Sequence, residues 1–206
     1  MLQQLLNGGS AGGIAGYAYN ISIENCCNNG KITGHLAGGI VSQGSYMKIS
    51  KSYNSGEIIS AGSDAGGIYS WTNDGELIVE DCYNTGKIVG PQITNTGTGG
   101  IAGGVGGGTV KNCYNIGPLP GMRKGEITGY TYASIIKSYF LNNTGNDAVG
   151  EILDSNVTVD VTAKTTEEMK TQEFVDLLNN GRTGSEAVWK MDTKNINNGY
   201  PILAWQ

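Results

Sequence analysis

Histidine occurs once in this chain, at His35, and neither a His-Glu-x-x-His nor a Cys-x-x-Cys motif is present. A zinc centre or a histidine-based hydrolytic site therefore has little material to be built from. Basic residues are scarce as well: 13 Lys and Arg against 18 Asp and Glu leave a net charge of −5, with no basic cluster. Nucleic acid and anionic membrane surfaces are poor partners for such a surface. No apolar run is long enough to span a bilayer, so no membrane insertion by this segment is expected. Met1-Leu2-Gln3-Gln4-Leu5-Leu6 is too short, and lacks the basic start, of a secretory leader. Any leader is expected upstream, with the chain read as a piece of a longer protein. Proline occurs only four times while glycine occurs 34 times without a Gly-X-Y period. Collagen is thereby excluded, and many tight turns between short strands are implied.

What the chain has instead is a recurring phrase. Cys82-Tyr83-Asn84-Thr85-Gly86-Lys87-Ile88-Val89-Gly90 is matched by Cys26-Cys27-Asn28-Asn29-Gly30-Lys31-Ile32-Thr33-Gly34, by Ser52-Tyr53-Asn54-Ser55-Gly56-Glu57-Ile58 and by Cys113-Tyr114-Asn115-Ile116-Gly117. Each copy follows a glycine phrase: Gly12-Gly13-Ile14, Gly38-Gly39-Ile40, Gly66-Gly67-Ile68 and Gly99-Gly100-Ile101. A degenerate fifth copy, Gly125-Glu126-Ile127, leads to Ser138-Tyr139, and the longest insertion lies around Pro91 to Thr98. Repetition at this period is the signature of stacked repeats.

Three apolar stations recur, at Ile14, Ile40, Ile68, Ile101 and Ile127, at Ile23, Ile49, Val79, Val110 and Ile135, and at Ile32, Ile58, Ile88 and Leu119. β-Branched residues flanked by Gly and Asn read as short strands. Three such strands per repeat predict an all-β fold, a right-handed parallel β-helix or β-solenoid of about five rungs. The repeats occupy residues 1–143. Residues 144–206 read as a C-terminal cap with one or two short helices: Thr165 and Glu168 form a capping box, and Phe174, Leu177 and Leu178 share a helical face. Together with Trp189 and Trp205, this segment is expected to cover the open end of the solenoid.

Within the phrase, Asn28, Asn54, Asn84 and Asn115 are expected to tolerate left-handed backbone and to form a ladder along the axis. Gly30, Gly56, Gly86 and Gly117 are expected to supply positive φ. Lys31, Glu57 and Lys87 should stack as alternating charges. A position that accepts either Cys or Ser (Cys26, Ser52, Cys82, Cys113, Ser138) asks for a small side chain, which makes the cysteines free, packed thiols. Gly103-Gly104-Val105-Gly106-Gly107-Gly108 lacks the lysine and the helix of a phosphate loop and reads as solenoid backbone. The loop around Asn73-Asp74-Gly75 lacks the spaced carboxylates of a calcium site, and His35 reads as a turn residue.

The two phrases together, over residues 12–139, resemble the GLUG motif. The tail, with Glu168-Met169-Lys170, Phe174, Leu178-Asn179, Trp189 and Asn198-Gly199-Tyr200-Pro201-Ile202-Leu203, is similar to the segment that commonly follows such repeats. That resemblance implies a secreted or surface-anchored bacterial protein, either adhesin-like or beside an IgA-specific metallopeptidase domain. The peptidase chemistry of that family belongs to a separate His-Glu-x-x-His domain, so no catalytic residue carries over.

The function expected is a non-catalytic binding or spacer module of an extracellular bacterial protein, with no cofactor and no metal. Its partner would be a host or matrix protein or a glycan, and neighbouring domains of a longer chain are expected. One alternative is a carbohydrate-binding β-helix that uses the flat faces of Tyr17, Tyr19, Tyr69, Trp71, Tyr130 and Tyr132; the same residues could instead pack over neighbouring rungs. The other is a polysaccharide-active enzyme using Glu24, Glu80 and Asp81 with Lys51 and Lys111.

Overall fold

The computed structural model describes residues 9–72, 75–120, 124–142 and 145–206. Met1 to Leu6, Asn73-Asp74 and the boundary at residue 143 lie outside them. The chain forms a parallel β-solenoid with a small helical appendage, and corresponding strands of successive rungs stack in four sheets.

The glycine phrases build the first sheet, Ser10–Gly12, Leu36–Gly38, Ala65–Gly66, Thr98–Gly99 and Lys124–Gly125. The second sheet is Ala15–Tyr19, Val41–Ser45, Tyr69–Trp71, Ala102–Val105 and Thr128–Thr131. The third carries the second apolar station and the Tyr-Asn pairs, and the fourth is Ile32–Gly34, Ile58–Ser60 and Ile88–Val89. A complete rung thus has five short strands rather than the three expected, as in Leu36–Gly38, Val41–Ser45, Met47–Ser50, Tyr53–Asn54 and Ile58–Ser60.

The extra break falls at one recurring place. Asn25, Lys51, Asp81, Asn112 and Lys137, each two residues past the second station, adopt φ between 46° and 55°. Left-handed backbone is costly for lysine, less so for asparagine and aspartate. The following Cys or Ser helps hold the bend by donating to the carbonyl two residues back: Ser52 Oγ to Ser50 at 2.8 Å, Cys82 Sγ to Glu80 at 3.2 Å and Cys113 Sγ to Lys111 at 3.2 Å. Cysteine and serine interchange here because both are short donors.

Stacking is in register. Ile40, Ile68, Ile101 and Ile127 are fully buried in a column, whereas Ile14, on the first rung, is 49% exposed. Each fully buried isoleucine stabilises the coil by about 2 kcal/mol. All four cysteines are free; Cys82 and Cys113 are buried, Cys26 is half-buried at the first rung and Cys27 is exposed.

The asparagine ladder is continuous: Nδ2 of Asn28, Asn54 and Asn84 donates to Oδ1 of the next rung's asparagine at 2.7–2.8 Å. Each Asn Oδ1 also accepts from the glycine amide two residues on. Neither residue uses left-handed backbone, contrary to the sequence expectation. Glycine is needed at Gly56 and Gly86 because the rungs approach too closely: a Cβ there would lie 2.0 Å from the carbonyl oxygen of Gly30 or Gly56.

A second fit explains the degenerate fifth copy. In rungs one to four the asparagine side chain packs against the second glycine of its own rung's glycine phrase, with Asn115 filling the space where a Cβ of Gly100 would sit. The fifth rung has Phe140 in register with Asn115, and Glu126 replaces the glycine. Glu126 then ends the ladder, accepting from Asn115 at 2.9 Å and Asn146 at 2.8 Å.

Stacking continues beyond the five repeats. Ile127 donates to Ala148, and Val159–Lys164 pairs in parallel with Ser134–Leu141, which gives a sixth turn from residues grouped with the tail on sequence. The chain then leaves the coil through α1 (Thr166–Met169) and α2 (Gln172–Asn179). Thr165 makes the capping box with Glu168, and Asn180 closes α2 in left-handed backbone. Phe174, Val175 and Leu178 form the buried face of α2; Leu177, expected there, is 39% exposed.

Two stability effects follow. Asn84→Ala strips a buried ladder residue of four bonds and should cost about 3 kcal/mol, or roughly 6–12 °C in Tm, against about 1 kcal/mol for Asn28→Ala at the end. Equal losses in thermal melts would mean that the ladder adds nothing along the axis. Glu57 bridges Lys31 at 2.9 Å and Lys87 at 3.4 Å. Glu57→Lys should lower Tm by about 2 °C at low salt, less at high salt, and an unchanged or raised Tm would contradict this pairing.

Candidate functional site

The acidic candidates sit on the third sheet, and each is tied to a cation. Glu24 pairs with Lys51 at 2.6 Å, and Glu80 with both Lys48 and Lys111. Burial pushes the Glu80 carboxyl up, but its hydrogen bonds to Lys111 and Lys48 outweigh that and hold it below the usual carboxylate range. A general acid requires the opposite shift. Burial, with Cys113 beside it, pushes the Cys82 thiol well up, so it stays protonated and unreactive.

Asp81 has a structural task. It is 2% exposed, accepts from both Arg182 amino groups at 2.6 and 2.7 Å, and accepts from Trp189 Nε1 at 3.3 Å. Arg182 also donates to the carbonyls of Leu178 and Asn179, binding the end of α2 to the third rung. Sequence reasoning missed Arg182, because nothing local marks it as Asp81's partner.

This knot holds the small helical C-terminal cap along the flank of the coil. The tyrosines of the phrase point out of the coil and stack, Tyr53 on Tyr83 at 4.9 Å and Tyr83 on Tyr114 at 5.0 Å, nearly parallel. Phe174 meets Tyr139 edge-on, Trp189 tilts against Tyr83 and Tyr114, and Trp205 stacks on Tyr53. Tyr114 Oη donates to Pro201 O at 2.6 Å and accepts from Asn197 at 2.8 Å. The tail thus runs back along the rod from the sixth turn to the second.

The aromatic candidates separate. Tyr69 points inward, fully buried, with its hydroxyl on Gly44 O and Trp71 O, so it belongs to the core and cannot contact a ligand. Tyr17, Gln43, Trp71, Gly104 and Tyr130 occupy one column across the second sheet. The Tyr130 ring lies over Gly104, in space that any side chain there would fill. Trp71, Tyr130 and Tyr132 line a cleft of about 270 Å³ with Thr72 and Asn95. Asn95 comes from the Pro91–Thr98 insertion, whose Gly97 amide is held by Asp64. Tyr17 and Tyr19 lie apart on the exposed first rung, Tyr19 edge-to-face with Tyr46. Tyr46, Ile21 and Ile78 wall a second groove of about 300 Å³ that the sequence did not signal. Among the described residues no group of three or more His, Cys, Asp or Glu is placed to hold a metal.

Removing Arg182 tests the flank. Arg182→Ala should cost about 2–3 kcal/mol by leaving Asp81 buried without its partner. It should also speed proteolysis after residue 165 while the solenoid's β signal persists in circular dichroism. Unchanged cleavage would mean that the ring stack alone holds the tail.

The comparisons with known proteins agree with this architecture. The family model described as the GLUG motif matches residues 7–33. No curated protein sequence matches the chain. Among solved structures, a candidate immunoglobulin A1 protease from Bacteroides ovatus superposes with a TM-score of 0.63 at 23% identity, over 90% of this chain. The chain spans 58% of that protein's length, and at this identity the likeness is one of fold. The chain carries the GLUG motif in its first rung, and its glycine and Cys-Tyr-Asn-x-Gly phrases recur rung on rung along a parallel β-solenoid.

Proposed function

We propose that the chain is a non-catalytic binding module of a secreted or surface-displayed bacterial protein, adhesin-like, and that it engages its ligand on the second sheet. The observation that carries this reading is the division of labour between faces. Every carboxylate considered for catalysis is neutralised by a structural cation, whereas the aromatic cleft is lined by groups that contact ligands well. The likeness to a candidate protease fits a segment that carries or positions a catalytic domain, since this sequence has no His-Glu-x-x-His of its own. A polysaccharide-active enzyme would need a carboxylate with a raised pKa facing a cleft. Glu80 has a lowered one.

The test pairs an activity assay with a binding assay. Purified protein incubated with a panel of polysaccharides and peptides should release no new chain ends, while arrays of glycans and matrix proteins should give saturable binding that Trp71→Ala weakens. Turnover abolished by Glu80→Gln would overturn the reading in favour of an enzyme, and silence on both arrays would leave only a spacer.

A further inference from the structure

We propose that the second sheet is a track for an uncharged, extended β-linked polysaccharide lying along the solenoid axis, with alternate sugar rings stacked on Tyr17, Trp71 and Tyr130. The proposal rests on the binding reading above and gives the ligand its class.

Charge is the first argument. The strands Ala15–Tyr19, Val41–Ser45, Tyr69–Trp71, Ala102–Val105 and Thr128–Thr131 contain no Asp, Glu, Lys or Arg. The adjoining third sheet carries Glu24, Lys48, Glu80, Lys111 and Lys137. An anionic glycan, a phosphate or an acidic peptide finds no counter-charge on the second sheet, whereas a neutral glycan needs none.

Spacing is the second. The aromatic residues of the column stand on the first, third and fifth rungs, with Gln43 and Gly104 between them. Two rungs measure roughly 10 Å. An extended β-linked chain turns each sugar over relative to its neighbour, so like ring faces recur at every second sugar, close to the same interval. Stacking needs a flat apolar face at each recurrence and something small or hydrogen-bonding between. Gln43 fits the second requirement: its Oε1 accepts from Ser10 at 2.7 Å, which orients the amide nitrogen's hydrogens as donors for ring hydroxyls. At Gly104 the missing side chain leaves the space that the Tyr130 ring occupies. Tyr19 and Tyr132, 60% and 47% exposed, flank the two ends of the column.

Titration calorimetry with cello- and chito-oligosaccharides of two to six sugars, and pull-down on insoluble cellulose and chitin, tests the track. Affinity should rise in steps at the third and fifth sugar and be insensitive to salt. Trp71→Ala should weaken binding of every length by about tenfold, the loss of one stacking platform. Tyr17→Ala, at a 66% exposed site that does not support folding, should weaken the pentasaccharide and spare the trisaccharide. Thermal melts of both variants check that the fold is retained. Salt-sensitive binding of hyaluronan or polygalacturonate, or neutral binding without length steps, would overturn the track while leaving a glycan-binding module. Binding only to matrix proteins would overturn it while leaving the binding module, and no binding to any partner would overturn both.

Discussion

Parallel stacking in register sets every residue of this solenoid against its own counterpart one rung away. At a spacing of about 4.8 Å, a position tolerates only what tolerates its own repetition. Asparagine does, because its amide donates to one copy and accepts from another. Tyrosine does, because rings at rung spacing stack almost parallel. Isoleucine does in the interior. A charged residue does not, which is why Lys31, Glu57 and Lys87 alternate in sign. The same constraint makes Gly56 and Gly86 necessary: the preceding rung's carbonyl oxygen lies 2.0 Å from where a Cβ would sit. A feature that looks like a turn preference in one repeat is, across repeats, a packing limit.

The tail follows from the tyrosine row. A solenoid that projects a stack of rings outward has created a second apolar surface along its flank, and Met169, Phe174, Leu178 and Trp189 bury it. Asp81 supplies an ion-paired anchor, accepting from Arg182 and from Trp189 Nε1. Among the described residues, Ile14, Tyr17 and Tyr19 of the first rung are exposed.

Repetition was the part of the fold readable from sequence. The stations, both ladders and the capping box at Thr165 could be placed because each is a local pattern or a pattern at the repeat period. Relations that occur once could not. Arg182 meets Asp81 101 residues away, and no period links them. Leu177 was assigned inward because helical spacing gives a stripe but not its edge, and the flank takes Val175 instead. Residues 147–164 were grouped with the tail because the sixth turn keeps the backbone pairing while abandoning the motif. Of the six aromatic candidates, Tyr69 was misassigned because period-two alternation puts it on the same face as Trp71, whereas its ring is turned into the core with the hydroxyl on Gly44 O and Trp71 O.

The column on the second sheet departs from the rule that governs the rest. Tyr, Gln, Trp, Gly and Tyr in register are not self-stacking, so this column is not maintained by the requirement that shaped the asparagines and tyrosines of the third sheet. Large rings are separated by residues that leave room or offer a hydrogen bond. That alternation doubles the period from one rung to two. The alternating charges use a two-rung period to pair with one another; the alternating rings match an external polymer whose own units alternate. The insertion that brings Asn95 to the cleft points the same way, since it interrupts the repeat beside Trp71 and Tyr130 and is held in place by Asp64. Uniform faces hold this solenoid together, and the departures from uniformity collect on the one five-stranded sheet that carries no charge.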